Sequence, residues 1–271
     1  KRERERQRQR EKERKKKMTK IMFIHGLEGH PNGRKVTMLR DQGFEVHAPD
    51  MQMSLYRLNK SNSVTRHLLR LPEFQVICAV LFAGICSIIW ASLWPSVAVL
   101  LLGVAWLAIR IRSLFAEAMH VSFLACVDIQ TLALPRYNPD VLIGSSWGGA
   151  VAQELIARGN YTGPTILLAP ALQEVLNMTG QGCLSSPASS HEEEAESITR
   201  LKQRSGDMPI LVFHDRQDDT IPYQHSVELA RDSEIELRTV SAGGHSLLDL
   251  VKKNNENTST LGEAIREILA R

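Results

Sequence analysis

Four cysteines in 271 residues are too few for a disulfide-dense scaffold, and their spacing matches no metal site. Cys78 and Cys86 lie in one apolar stretch, while Cys126 and Cys183 stand far apart, a usage that suits a reducing, cytosolic setting. Seventeen glycines and 11 prolines exclude a collagen-like chain. Aromatic residues make up only 6%, and none interleaves with the basic residues at the start of the chain, so no nucleic-acid partner is expected. Disorder is excluded by the opposite count, since 43% hydrophobic residues suffice for a core.

The largest gap is in charge. From Phe74 to Ile109, 36 consecutive residues carry none. One spanning helix needs about 20 apolar residues to cross roughly 30 Å of hydrocarbon. The run therefore suits two short spans, about 74–91 and 93–109, separated at Leu93-Trp94-Pro95-Ser96, where the proline favours a turn. Arg66 and Arg70 precede the run and Arg110 and Arg112 follow it, so both ends are expected on the cytoplasmic side. Trp90 and Trp94 fall at the far interface. The expected unit is a membrane hairpin over 72–112, contacting the bilayer through residues 74–109.

The small net charge of +3 hides a second segregation. Residues 1–20 hold 12 Lys/Arg against 4 Asp/Glu, leaving the other 251 residues at −5. Residues 1–19 read as a charged low-complexity arm, solvated by its mixed signs, with no apolar core that a cleavable signal peptide requires. The Asn-x-Ser/Thr sequons at Asn160, Asn177 and Asn257 go unused on a cytosolic face.

Elsewhere short apolar runs alternate with helical patterns. Strands are expected at Ile21–Ile24, Phe44–Ala48, Val141–Ile143, Thr165–Leu168, Ile210–Phe213 and Glu236–Val240. Helices are expected near Gly33–Gln42, Phe123–Pro135, Gly148–Ala157, Tyr223–Arg231 and Leu261–Ala270. That alternation predicts an α/β fold with a mostly parallel sheet covered on both faces. The Ser-, Gly- and acid-rich stretch 173–207 interrupts it as a surface loop or lid, with a helix start at Ser190-His191-Glu192-Glu193-Glu194.

Gly144-Ser145-Ser146-Trp147-Gly148 is a G-x-S-x-G motif between a strand and a helix. Such a turn is tight, needs small neighbours and lifts Ser146 above the sheet edge as a nucleophile. The Trp147 amide, at the helix N-terminus, points toward the same place. Ser145 is the rival nucleophile, but it is out of phase with the glycines. A serine needs a base and the base an orienting acid. His245, in Ala242-Gly243-Gly244-His245-Ser246, is the candidate base. Asp218, in the loop after Ile210–Phe213, is the candidate acid, with Asp215 and Asp219 as competitors.

These segments resemble the α/β-hydrolase superfamily, and most closely its small, nearly lidless bacterial esterase-like members. The resemblance rests on Phe23-Ile24-His25-Gly26-Leu27-Glu28-Gly29, Ala48-Pro49-Asp50, the serine elbow with Leu167-Leu168-Ala169-Pro170, and the two loops carrying Asp218 and His245. It covers residues 20–53 and 113–271, the expected hydrolase domain, with the hairpin inserted between. In that family the acid is fifth in a His-x-x-x-Asp loop, which here implies Asp218; Asp215 replaces the usual glycine after His214. The second oxyanion amide follows the first His-Gly pair, which implies Leu27 beside Trp147.

The resemblance implies a serine hydrolase acting on carboxylic esters or thioesters, carboxylesterase- or lipase-like, through an acyl-enzyme. It needs no cofactor and no metal. Its expected partners are a small-molecule or lipid acyl ester and the membrane, with the catalytic domain facing the cytoplasm. A non-catalytic scaffold or binding protein on the same fold, and an acyltransferase, are the other readings.

Overall fold

The computed structural model describes residues 18–90, 93–179, 199–206, 208–231, 233–241, 243–252 and 259–271; at 89–90 and 93–94 it describes the backbone alone. The charged arm up to Lys17, the Trp90 and Trp94 side chains, Cys183, Asn257 and the helix start at Ser190 lie outside the described residues.

Among the described residues six strands form one sheet: β1 (Lys20–Ile24), β2 (Glu45–His47), β5 (Val141–Ser145), β6 (Thr165–Leu168), β7 (Ile210–Asp215) and β8 (Glu236–Val240). Their spatial order is β2-β1-β5-β6-β7-β8, and every pairing is parallel. β5, β6 and β7 are buried along their whole length, which is why they read as continuous apolar runs. β8, at the edge, carries Glu236 and Arg238 among partly exposed residues, charges that discourage pairing with another chain.

The pleat divides the core in two. Met22, Ile24, Leu142, Leu167 and Val212 face one side; Ile21, Phe23, Ile143, Ile166, Leu211 and Phe213 face the other. Helix α1 (Arg34–Asp41) and the last helix (Thr260–Ala270) cover the second side with Val36, Leu39, Leu261, Ile265 and Ile268. Helix α5 (Trp147–Ala157) and part of a much longer helix cover the first. Each fully buried aliphatic or aromatic side chain contributes about 1.5–3 kcal/mol. Three elements between β2 and the hairpin have no counterpart in the sequence expectations. They are the parallel pair β3 (Met53–Ser54) and β4 (Asn62–Ser63), and the short helix α2 (Val64–Leu68).

The hairpin region corrects the sequence reading. Helix α3 (Pro72–Trp90) is followed by a single uninterrupted helix, α4 (Leu93–Tyr137). The expected span 93–109 and the expected helix Phe123–Pro135 are thus parts of one rod, and the boundary at 112/113 falls inside it. Arg110 and Arg112 suggested an end, but charges do not terminate a helix, and no proline lies between Pro95 and Pro135. Pro95 does not separate two elements either. It sits in the first turn of α4, where its missing N–H has no intrahelical acceptor to lose.

The first half of α4 and α3 pack against each other and expose Phe82, Leu102 and Ile109. Among the described residues one helix, Pro95–Tyr137, is long and apolar enough to cross a membrane, with a mean hydropathy of 1.9 over a window that is 11% buried. The apolar part of α3, Pro72–Ile88, is shorter. Close packing depends on small residues: a Cβ on Gly103 would meet Leu81 Cδ2 at 2.9 Å, and one on Gly84 the Leu100 backbone at 3.3 Å. Ser87 and Ser96 are hydrogen-bonded near the tip (Oγ–Oγ 2.5 Å). At the base Glu73 takes two bonds from Arg110, at 2.7 and 2.9 Å.

Candidate active site

Strand order reverses between β1 and β5, since the chain leaves β1 toward one edge and later returns to build the other. In open parallel sheets the crevice at the carboxyl ends of such strands is where ligands bind. Here β1 ends at Ile24, next to His25-Gly26-Leu27, and β5 ends at Ser145, next to Ser146.

Ser146 stands in a left-handed conformation, φ 56° and ψ −119°, between the last residue of β5 and the first of α5. Its N–H bonds to Leu168 O (2.9 Å) and its carbonyl accepts from Ala171 N (3.2 Å), so β6 and the segment after it hold the strained turn. The flanking glycines are sterically required. A Cβ on Gly148 would lie 2.1 Å from Ile24 O, and one on Gly144 2.6 Å from Gly148 O.

Ser146 Oγ lies 2.8 Å from His245 Nε2, and His245 Nδ1 lies 2.8 Å from Asp218 Oδ2. A carboxylate only accepts, so the ring proton sits on Nδ1 and Nε2 is free to accept from the hydroxyl. Ser145, the rival, instead turns its buried hydroxyl to Lys35 Nζ (2.7 Å). Of the competing acids, Asp219 accepts, among the described residues, only from Thr220 Oγ1, while Asp215 accepts from the Gln217, Gly243 and Gly244 amides (2.9, 2.7 and 2.7 Å). The residue that departs from the family loop therefore ties the end of β7 to the glycines before His245.

The Asp218 carboxylate is fully enclosed. Oδ1 accepts from the Thr220 and Ile221 amides (2.8 and 2.9 Å), and Oδ2 from His245 and, at 3.2 Å, His214 Nε2. Burial alone would raise its pKa, but these donors outweigh it and hold the group below the ordinary carboxylate value. His214 Nε2 also meets Ile221 O (3.1 Å), another pure acceptor, so it carries the proton and Nδ1 accepts from Ser226 Oγ (2.6 Å). Burial keeps His214 neutral by lowering its pKa.

On the other side of Ser146, Leu27 sits in a loop closed by a Gly29 N–H to Gly26 O bond (3.0 Å). Glu28 anchors that loop to the β3 region, accepting from Ser54 Oγ (2.6 Å) and Leu55 N (2.8 Å). As the first residue of α5, Trp147 has an amide outside the intrahelical ladder, and the Leu27 amide makes no backbone hydrogen bond among the described residues.

Leu27, Ser146, Trp147 and His245 open onto one cavity of about 530 Å³. Its walls are mostly apolar: Leu55, Ile221, Phe115 and Met119 from α4, and Val175 and Met178 from α6 (Leu172–Met178). The beginning of the expected loop or lid is thus a short helix in the cavity wall. Lys35 also lines it, and burial pushes this ammonium down to about 8. Among the described residues no group of three or more His, Cys, Asp or Glu side chains is arranged to hold a metal.

Lys35, His214, Ser226 and Glu28 had no role in the sequence reading, and Asp215 entered it only as a competing acid in place of the usual glycine. His214 and Asp215 left a signal, as the first two residues of the His-x-x-x-Asp loop.

No curated protein matches the chain in sequence. Among solved structures, TT1662 from Thermus thermophilus shares its fold, with 16% identity over 93% of this chain and 89% of that one, at a TM-score of 0.52. Looser likenesses are Est1E from Butyrivibrio proteoclasticus with bound ferulic acid (19% identity, 94% and 91% coverage, TM-score 0.47) and Zea mays acyl-protein thioesterase 2 (13%, 93% and 94%, TM-score 0.41). The fold is that of the α/β-hydrolases, a mostly parallel sheet flanked by helices. The family profile described as Uncharacterised protein family (UPF0227) matches residues 109–257, more than half of the chain, and the chain belongs to that family.

Proposed function

We propose that the protein is a serine hydrolase of carboxylic esters or thioesters, held at a membrane by the α3–α4 hairpin with its catalytic domain on the cytoplasmic side. The observation that carries the reading is the unbroken hydrogen-bond chain from Ser146 Oγ through His245 to the enclosed Asp218 carboxylate.

In this mechanism Ser146 Oγ attacks the acyl carbonyl while His245 Nε2 takes its proton. Asp218, ionised well below neutral pH, steadies the imidazolium that forms and keeps the ring in the productive tautomer. The developing oxyanion is held by the Leu27 and Trp147 amides. His245 then returns its proton to the leaving alcohol or thiol. Water, deprotonated by the same histidine, releases the acyl group and restores the serine. The apolar cavity suits an acyl chain, and the cytoplasmic orientation is supported by Arg66, Arg70, Arg110 and Arg112 at the hairpin base.

The test is covalent labelling by a fluorophosphonate, together with turnover of a panel of short- and long-chain esters and thioesters. Labelling is expected in the parent and absent in Ser146→Ala. Asp218→Asn, which unsettles the tautomer, is expected to lower kcat about 10⁴-fold. Undiminished labelling of Ser146→Ala sinks the assignment of the nucleophile, and a parent that turns over no ester or thioester sinks the hydrolase reading.

A further inference from the structure

The cavity beside Ser146 has three ionisable side chains among its described lining, Lys35, Glu174 and His245. His245 is already engaged by Ser146 and Asp218, and Glu174 lies 3.8 Å from His225 Nδ1. Lys35 is different. Projecting from the first turn of α1, it meets one neutral hydroxyl, Ser145 Oγ at 2.7 Å, and pairs with no carboxylate among the described residues.

An ammonium has three N–H donors and no acceptor. With one donor on Ser145, two remain for whatever enters the cavity. Taking a cation partly out of water without a counter-ion is unfavourable, so it marks a place where an anion from outside is welcome. Its position is also specific, because its anchor Ser145 directly precedes Ser146 in the elbow.

We propose that Lys35 binds a carboxylate of the substrate, so that the preferred substrates are acidic acyl esters carrying one negative charge a few bonds from the scissile carbonyl. The inference rests on the hydrolase reading and adds a substrate class to it. A single cation sharing its cavity with Glu174 matches one negative charge rather than the two of a phosphate monoester. The surrounding Leu27, Leu55, Phe115 and Met119 accommodate the methylenes between charge and ester, and their low polarity strengthens the ion pair once water is displaced.

The experiment uses the full chain in detergent micelles and two ligands that differ by one charge, monomethyl adipate and dimethyl adipate. Each competes with a fluorophosphonate for Ser146. In the parent the monoacid is expected to protect at a concentration at least tenfold below the diester. Lys35→Met should collapse that ratio toward one, and Lys35→Arg, which keeps the charge, should retain most of it. A lysine that merely props up Ser145 would not alter charge preference. A parent ratio near one, or a tenfold ratio that survives Lys35→Met, overturns the proposal. Calorimetric titration of both ligands into Ser146→Ala reads the same preference without chemistry. Charge preference there without any labelling of the parent would sink the hydrolase reading and leave the Lys35 site standing; labelling without preference would do the reverse.

Discussion

The two halves of α4 belong to one helix yet arrange their apolar residues differently around it. From Leu114 onward the buried residues recur every three or four positions: Leu114, Ala118, Met119, Ser122, Phe123, Cys126, Val127, Gln130 and Leu134. Glu117, Asp128 and Arg136 occupy the opposite face, in water. This is an amphipathic helix lying on a sheet. Before Leu114 the stripe disappears. Leu101, Leu102, Val104, Ile109 and Ile111 are exposed on several sides with no polar face to balance them. Apolar content alone does not distinguish the halves; the angular distribution of polar residues does. The exposed half extends about 30 Å over residues 93–112, close to the thickness of a bilayer core. The comparison also explains how the insertion leaves the sheet intact, because Glu73 and Arg110 meet at the hairpin base and return the chain near its point of departure.

Removing one half gives the largest expected effect. Replacing residues 73–110 by a short Gly/Ser linker is expected to move the protein from a carbonate-resistant pellet to the soluble fraction while Ser146 still takes the fluorophosphonate. A full-length chain that is already soluble after carbonate extraction would end the membrane assignment. A matched pair of substitutions tests the same contrast inside the helix. Leu114 is 1% exposed and Leu102 is 71% exposed. Leu114→Ala is expected to cost about 2–5 kcal/mol through lost burial and a residual cavity. Leu102→Ala should change the unfolding free energy of the sheet domain by less than about 0.5 kcal/mol. Chemical denaturation in one detergent measures both, and equal losses would mean that the hairpin is part of the folding core.

What the sequence revealed follows from how local each feature is. The elbow was legible because its glycines are dictated by atoms within the turn and at the end of β1. The buried strands were legible as uninterrupted apolar runs. His245 and Asp218 could be placed by their loops and by chain order. Lys35 could not, since its partner Ser145 lies 110 residues away and a lysine in the first turn of a helix looks like any solvated one. Asp215 reads locally as a departure from a motif; its bonds to Gly243 and Gly244 cross nearly 30 residues and leave no periodic trace. The continuity of α4 was hidden for another reason. Charge and hydropathy change sharply near Arg110, but the backbone has no reason to break there, so a change of surface character was read as a change of element.

The contrast also assigns the protein's acid sensitivity to one side. Residues 74–109 contain no histidine and no acidic side chain, whereas His25, His67 and His214 all sit in the sheet domain with pKa values lowered chiefly by burial. An unfolded histidine titrates near 6.5, so below that pH the unfolded chain takes up protons that these folded sites refuse. Their stabilising contribution is complete above about 6.5 and is lost as pH falls through the lowered values, by up to about 1.4 kcal/mol per pH unit for the buried His25 and His214 and by less for the partly exposed His67. Asp215 and Asp218, also lowered, add their own loss only at more acid pH, below the ordinary aspartate value of 3.8. Between pH 7 and 5 the melting temperature is therefore expected to fall, and to fall equally for the full chain in detergent and for the hairpin-deleted domain. His214→Gln keeps a donor near Asp218 but cannot titrate, and it should flatten the slope by one histidine's share. An unchanged slope in that variant would show that His214 is not held neutral, while a slope that differs between the two chains would place acid-sensitive contacts between hairpin and sheet domain.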